Sequence, residues 1–279
     1  MTQKQKASVY SDIVHLPRVR SIDATQSDRR SLEFDWDVDL TLMVACYNEE
    51  ENVAATLDTV LAAIDEVGYS YEVLVFDDAS SDRTVEIVRE YQLRHPDRPI
   101  DLVCNKLNQG LAQCYVEGAF HGRGQYYRLI CGDNVEPKET LVTVFSHVGQ
   151  ADLIIPYQVE CVGKRLHRRL LSGAFTRLVN TITGYRIKYY NGLAVFRRYD
   201  VMRWHSDHRG FEFQADMIIR MLDNNAKHLE IPVVARERSN GESTALTLRN
   251  LLSVAHLLFD LAIRRFGRIL YGRLRPSSE

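Results

Sequence analysis

Between Leu40 and Cys131 the chain repeats one pattern four times, and that repetition restricts its possible folds more than any other feature. Each repeat starts with an apolar run too short for a helix and passes through a polar turn; three of the four then continue into apolar residues at helical spacing. Leu40-Thr41-Leu42-Met43-Val44-Ala45 predicts a buried strand. Val53, Leu57, Val60, Leu61 and Ile64 predict the helix after it, closed by Gly68, with Asn48 as the expected cap. Residues 71–76 predict a second strand, and Thr84, Val85, Ile87, Val88 and Tyr91 a second helix ending at His95-Pro96. Residues 100–104 and 126–131 predict two further strands, with a helix between them that runs from about Gly110 to His121 and is broken by Gly122 and Gly124.

Strands joined through helices must run parallel, because the helix returns the chain to the same end of the sheet. The expected fold class is therefore α/β: Rossmann-like, with a mostly parallel central sheet and helices on both faces. Residues 1–38 are polar, mixed in charge and without a period, and are expected to form a loosely packed extension. The α/β domain is expected over 39–245 and a separate C-terminal helix over 246–279.

In such sheets ligands bind beyond the carboxyl ends of the strands. That directs attention to three exits: 46–50, 77–82 and 131–136. The first lacks G-x-G-x-x-G, against a dinucleotide fold, and no G-x-x-x-x-G-K-[ST] occurs, against a P-loop nucleotidase. Net charge is only −2, so no global field favours nucleic acid, although arginines gather in the last third. The cysteines Cys46, Cys104, Cys114, Cys131 and Cys161 are scattered with no C-x-x-C pair, against a zinc site or a disulfide framework. Reduced thiols in a cytoplasmic protein are expected. No apolar leader follows Met1, and no run reaches the roughly 18 apolar residues of a membrane span.

The chemistry available at the exits is that of carboxylates. Asp77 and Asp78 sit where a strand hands over to a helix, placed either to accept hydrogen bonds from ribose hydroxyls or a base edge, or to cap the helix. Cys131-Gly132-Asp133-Asn134-Val135-Glu136-Pro137 offers Asp133, with Asn134 or Glu136 as helpers, to a hard divalent cation bound together with a diphosphate. A simple turn before a helix is the other reading of that segment.

Taken together these segments resemble family-2 glycosyltransferases. Tyr47-Asn48-Glu49 is similar to the family's opening Tyr-Asn-Glu, and Asp77-Asp78-Ala79-Ser80 to its Asp-Asp-Gly-Ser. Asn108-Gln109-Gly110-Leu111-Ala112 resembles its Gly-Leu-Gly-x-Ala turn, and Asn191-Gly192-Leu193-Ala194-Val195-Phe196-Arg197-Arg198 its Ser-Gly-Phe-Arg block. Gly210-Phe211-Glu212-Phe213-Gln214, Ile231-Pro232-Val233 and Arg236-Glu237-Arg238-Ser239-Asn240-Gly241-Glu242-Ser243 are close to blocks of dolichol-phosphate mannose synthases. Order and spacing hold from about residue 40 to 245.

The resemblance implies a GT-A fold and an inverting transfer from a GDP- or UDP-sugar. It implies that Tyr47, Glu49, Asp77 and Asp78 hold base and ribose, with Gly110, Asn191, Gln214 and Ser243 also on substrate. It implies Mg²⁺ or Mn²⁺ at Asp133, although only the last Asp of the family's Asp-x-Asp is kept and Val135 replaces a Gln. The metal at Asp133, Arg238 and the basic stretch Lys164-Arg165-Leu166-His167-Arg168-Arg169 are the candidates to balance charge on the leaving phosphate. Glu212 is the candidate base or donor-orienting group. Thr244 stands where the synthases carry a Lys.

Three functions fit this reading. The first moves a hexose onto a polyprenyl-phosphate or other lipid-linked acceptor. The second uses a hydroxyl of a soluble saccharide acceptor. The third is a non-catalytic domain that binds nucleotide or a partner, as a monomer or homo-oligomer. The C-terminal segment bears on the choice: Leu248, Leu251, Leu252, Leu257, Leu258, Leu261 and Ile263 follow a helical period, flanked by Arg249, Arg264, Arg265, Arg268, Arg273 and Arg275. Such a helix suits either packing on the domain or lying, through 246–275, on the inner face of an anionic membrane.

Overall fold

The computed structural model describes residues 18–19, 34–162, 166–204, 210, 212–236 and 248–274. Two short strands, β1 (Arg18–Val19) and β2 (Phe34–Asp35), pair antiparallel, so part of the expected loose extension carries regular structure. The strand-helix series then runs β3 (Val38–Cys46), α1 (Val53–Val67), β4 (Tyr71–Asp77), α2 (Thr84–Arg94), β5 (Ile100–Cys104), α3 (Leu111–His121) and β6 (Gly124–Cys131). Beyond it come α4 (Lys138–Phe145), β7 (Leu153–Val162), α5 (Leu166–Thr183), β8 (Val195–Arg197), α6 (Arg198–Met202), α7 (Phe213–Asp223), β9 (His228–Arg236) and α8 (Leu248–Leu274).

Seven strands form one sheet in the order β5-β4-β3-β6-β8-β7-β9. β5, β4, β3 and β6 are parallel, as the alternation requires. β8 is antiparallel to both neighbours, β6 and β7, and β9 returns parallel to β7. This inversion has a consequence for the site. Val195 pairs with Arg128, so the residues entering β8 lie beside the end of β6.

The central strand is apolar on both faces because both faces are covered: Leu40, Leu42, Met43 and Val44 are fully buried. One apolar cluster, with Met43, Tyr115, Tyr127, Val179, Phe213 and Leu257, joins α3, α5, α7 and α8 to the sheet. The other, with Leu42, Leu57, Val88, Ile130 and Phe145, joins α1, α2 and α4 to the opposite face. Gly124 opens β6 because no larger residue fits: a Cβ there would stand 2.4 Å from the Thr41 backbone nitrogen.

One local expectation fails. Asn48 does not cap α1, which begins only at Val53. Asn48 is left-handed, φ 56°, a conformation Asn tolerates, and its side chain turns to the neighbouring exit.

Candidate active site at the strand exits

Cys46 pairs with Asp77, Asp77 with Cys104, and Ala45 with Cys131, so four parallel strands end at one level. Hydrogen bonds lace the first two exits together. Ser80 Oγ accepts from the Asn48 N–H at 2.9 Å, and Asn48 Oδ1 accepts from the Ser81 N–H at 2.8 Å. Thr84 Oγ1 accepts from Glu49 N–H at 2.9 Å, and Asp82 accepts from Glu50 N–H at 3.0 Å. Tyr47 is left projecting, 53% exposed, where a flat base could meet its ring. The Glu49 carboxylate accepts from the Asn52 amide at 3.0 Å, and its Cγ lies 3.4 Å from where a Cβ on Gly132 would stand. The first and third exits are thus in contact.

The acidic pair is turned inward. Asp77 accepts from the Ser80 N–H at 3.0 Å and from its hydroxyl at 2.5 Å. Ala79 between them is left-handed, φ 64°, where the family pattern has Gly. Asp78 Oδ1 accepts from the Asn105 amide at 2.9 Å and the Gln109 N–H at 2.8 Å, and Oδ2 accepts from the Gly110 N–H at 2.8 Å. Burial alone would push the Asp78 carboxyl up, but the bonds from Gln109, Asn105 and Gly110 outweigh it and hold it below the usual carboxylate value. The Cys114 thiol bonds the same carboxylate, so protein groups account for the roughly four acceptor positions that Asp78 offers. Asp78 therefore caps neither α1 nor α2: it shapes the turn into α3. Gly110 stands at φ 89°, ψ 154°, a region open essentially only to glycine.

The third exit is pinned at both ends of Asp133. The Gly132 N–H donates to Ala45 C=O at 2.9 Å, and Gly132 C=O accepts from Thr56 Oγ1 at 2.8 Å. Thr59 Oγ1 donates to Asn134 Oδ1 at 3.0 Å, and Glu136 Oε1 accepts from Arg128 Nη2 at 2.6 Å. Asn134 and Glu136, expected as helpers, are thus engaged with protein groups. Asp133 is half-buried and accepts from the Val135 N–H at 3.3 Å. Among the described residues no three His, Cys, Asp or Glu side chains gather around a metal position. A single carboxylate at a strand exit still fits Mg²⁺ or Mn²⁺ when a diphosphate and water supply the remaining ligands, the usual mode for such ions. The nearby Cys46 thiol is no nucleophile: burial, then the charges of Asp77 and Glu49, push it far up and keep it neutral.

Glu212 immediately precedes α7, is 4% exposed, and accepts from the Gly210 N–H at 3.2 Å. The ring of Phe213 beside it lies 5.5 Å from Tyr115 of α3. Asp216, one turn on, has a different task. It accepts from Trp204 Nε1 at 3.1 Å and Arg220 Nε at 2.9 Å, and pairs with Arg264 of α8. Burial would raise its carboxyl, but Arg264 and Arg220 outweigh it and keep Asp216 ionised. Asp223 binds Arg265 at 2.6 Å and Arg268 at 2.8 Å. These arginines, read from the sequence as flanks of an apolar helix, instead fasten α8 to α7. The opposite side of α8 exposes Leu252, Phe259, Ile263, Phe266 and Leu270, which fall within about 60° of one another at 100° per residue.

The fold thus gathers Tyr47, Glu49, Asp77, Asp78, Gly110 and Asp133 at one edge. Asn191 is exposed in the segment leading into β8, and Gln214 is half-buried in α7, its Oε1 finding no partner among the described residues. Arg168 lies in α5. Lys164, Arg165, Arg238 and Ser243 lie outside the described residues. Asn105, Thr56, Thr59 and Arg128 were not singled out from the sequence. Arg128 alone had a signal there, a charge inside the apolar run Tyr126-Tyr127-Arg128-Leu129-Ile130.

Comparison with known proteins agrees with this fold. The family model described as glycosyl transferase family 2 matches residues 41–209. An undecaprenyl-phosphate 4-deoxy-4-formamido-L-arabinose transferase of Edwardsiella ictaluri is 26% identical over 84% of this chain and 69% of its own length. The chain spans about two thirds of the curated relatives it matches: 69%, 66% and 65% of three of them. Glucosyl-3-phosphoglycerate synthase from Mycobacterium tuberculosis, solved with Mn²⁺, UDP and phosphoglyceric acid, superposes with TM-score 0.59 at 13% identity, covering 82% of this chain and 78% of its own. A mannosyltransferase from Pyrobaculum calidifontis, solved with GDP-Man and Mn²⁺, gives TM-score 0.52 at 20% identity, covering 88% and 80%. At these identities the two structures share the fold. No described helix is long and apolar enough to cross a membrane.

Proposed function

The chain belongs to glycosyl transferase family 2, and on that premise we propose that it is an inverting transferase moving a glycosyl unit from a nucleoside-diphosphate sugar onto a polyprenyl phosphate. The observation that carries the proposal is the level alignment of three exits that brings Glu49, Asp78 and Asp133 to one edge of the sheet. Tyr47, Glu49, Asp77 and Asp78 are assigned to base and ribose, with Asp78 acting through the turn it shapes. Asp133 would hold Mg²⁺ or Mn²⁺, whose charge, when bound with the diphosphate, offsets the charge that develops on the leaving phosphate. Arg238, with Lys164, Arg165, Arg168 and Ser243, is assigned to the anionic groups of donor and acceptor.

In the reaction an acceptor phosphate oxygen forms a bond to the anomeric carbon as the bond to the diphosphate breaks. A phosphate is anionic at neutral pH and needs no general base, so Glu212 serves here to orient the donor sugar. Asn191 and Gln214 are assigned to substrate. Several curated relatives are undecaprenyl-phosphate transferases by name, which supports a lipid-phosphate acceptor. The outward stripe of α8 is assigned to the cytoplasmic membrane surface, where such an acceptor resides; there an apolar helix face enters the headgroup boundary.

The test is calorimetric titration of GDP and UDP, each with and without MnCl₂, into wild type and Asp133→Ala. Metal-dependent binding of one nucleotide, lost in the variant, is expected. Binding indifferent to both metal and substitution would replace the metal with arginine side chains, and no binding of either nucleotide would refute the donor site. Sedimentation with phosphatidylglycerol-containing vesicles tests the membrane contact: Phe259→Glu with Phe266→Glu is expected to release the protein.

A further inference from the structure

Arg128 is fully buried in the middle of β6, with side chains of the α1–α4 apolar cluster, Tyr126 and Ile130, two positions to either side on the same face of the strand. A guanidinium there is costly unless it is paired and hydrogen-bonded. Two of its contacts lead toward the exits. Nη2 donates to Glu136 Oε1 at 2.6 Å, three residues beyond Asp133. Nε donates to the Leu193 C=O at 3.3 Å, in the segment that enters β8. Its guanidinium carbon lies 5.7 Å from the Phe145 ring centroid, on α4.

The pair is one-armed. Among the described residues the buried Arg128 Nη1 and Glu136 Oε2 find no hydrogen-bond partner, where a purely structural Arg-carboxylate pair would take the two-pronged geometry the groups are built for. What the pair holds is the far end of the Asp133 turn, where Thr59 also bonds Asn134. The near end is already fixed by Gly132 through Ala45 and Thr56. Gly192, next to Leu193, is itself wedged on β7, since a Cβ would stand 2.1 Å from the Pro156 carbonyl oxygen.

We propose that Arg128 is a positioning residue for the donor site: by holding Glu136 and Leu193 it fixes the Asp133 turn and locks it to the 191–193 segment. The inference rests on the donor-site reading above and adds to it a residue that touches neither nucleotide nor metal. Removing one partner alone would leave a charge stranded, so the informative variant is Arg128→Met with Glu136→Leu, which replaces a buried ion pair by apolar groups of similar size and leaves stability near wild type.

Two readouts separate positioning from packing. Calorimetric titration of the nucleotide that wild type binds, with MnCl₂, is expected to show affinity lowered about tenfold in the double variant, the scale of losing a group that orients a metal ligand. Titration in EDTA is expected to be the same for both proteins. In metal-free protein, amide hydrogen exchange over 132–136 is expected to quicken while that of β3 and β4 does not change. A folded double variant with wild-type Mn²⁺-dependent binding and unchanged exchange overturns the positioning role and leaves the donor site standing. A wild type that binds no nucleotide refutes the donor site and the positioning role together.

Discussion

Asp78→Asn isolates the carboxylate that shapes the turn into α3. In wild type, Oδ1 takes two hydrogen bonds and Oδ2 takes one, at 2.8–2.9 Å, in a residue only 6% exposed. Asn can keep the two bonds on its carbonyl oxygen, without charge assistance, at a loss of about 1 kcal/mol each. Its amide then faces the Gly110 N–H donor to donor, leaving a buried N–H unsatisfied at a further cost of about 1–3 kcal/mol. The sum is about 3–5 kcal/mol, a Tm fall of roughly 6–20 °C for a chain of this size. The pH dependence carries a sign. Because the folded carboxyl sits below its usual value, its stabilisation is present above the unfolded pKa near 3.8 and is lost as pH falls through the folded pKa. Thermal unfolding of both proteins from pH 7 into the acid range should therefore show a gap that is constant near neutrality and closes at low pH. A variant that melts with wild type at pH 7, or a gap that persists undiminished in acid, would refute this account of Asp78.

Other perturbations follow from the same geometry. Asp216→Asn should lower stability by about 2 kcal/mol in urea denaturation, a buried-pair loss discounted because Arg264 and Arg220 are 22% and 36% exposed; an unchanged midpoint would mean α8 is held by Asp223 and apolar packing alone. Gly124→Ala should cost about 2–3 kcal/mol, since the obstacle is backbone rather than a movable side chain, and a neutral result in the same assay would contradict the close β3–β6 approach. Ala79→Gly should raise stability by about 0.5–1 kcal/mol, because relief of the left-handed strain exceeds glycine's greater unfolded freedom; a lower Tm would count against that strain.

The strand-helix series from residue 38 to 131 was legible because each element announces itself within its own residues. Leu40–Ala45 is apolar but for Thr41 since it lies between two helical layers, and Val53–Ile64 shows helical spacing since one side of α1 is buried. The exits were legible for the same reason, as the polar punctuation between periods. The expectation for Asn48 failed because a capping residue and a left-handed turn residue carry the same sequence signal, and which one forms depends on Ser80 and Ser81, over 30 residues away. The arginines of α8 misled differently: a basic flank reads the same whether the charges face lipid or face Asp216 and Asp223.

The sequence by itself determined the α/β class, the succession of β3, β4, β5 and β6 along the chain and the polar segments at their carboxyl ends, because periodicity and turn chemistry are local. Only the tertiary structure decided that β8 enters antiparallel between β6 and β7, that Asp78 binds Gln109 and Gly110 about 30 residues on, and that Arg128 reaches Leu193 across 65 residues. Those partners are set by which strands lie side by side, and strand order is a property of the whole sheet that no single stretch of sequence encodes.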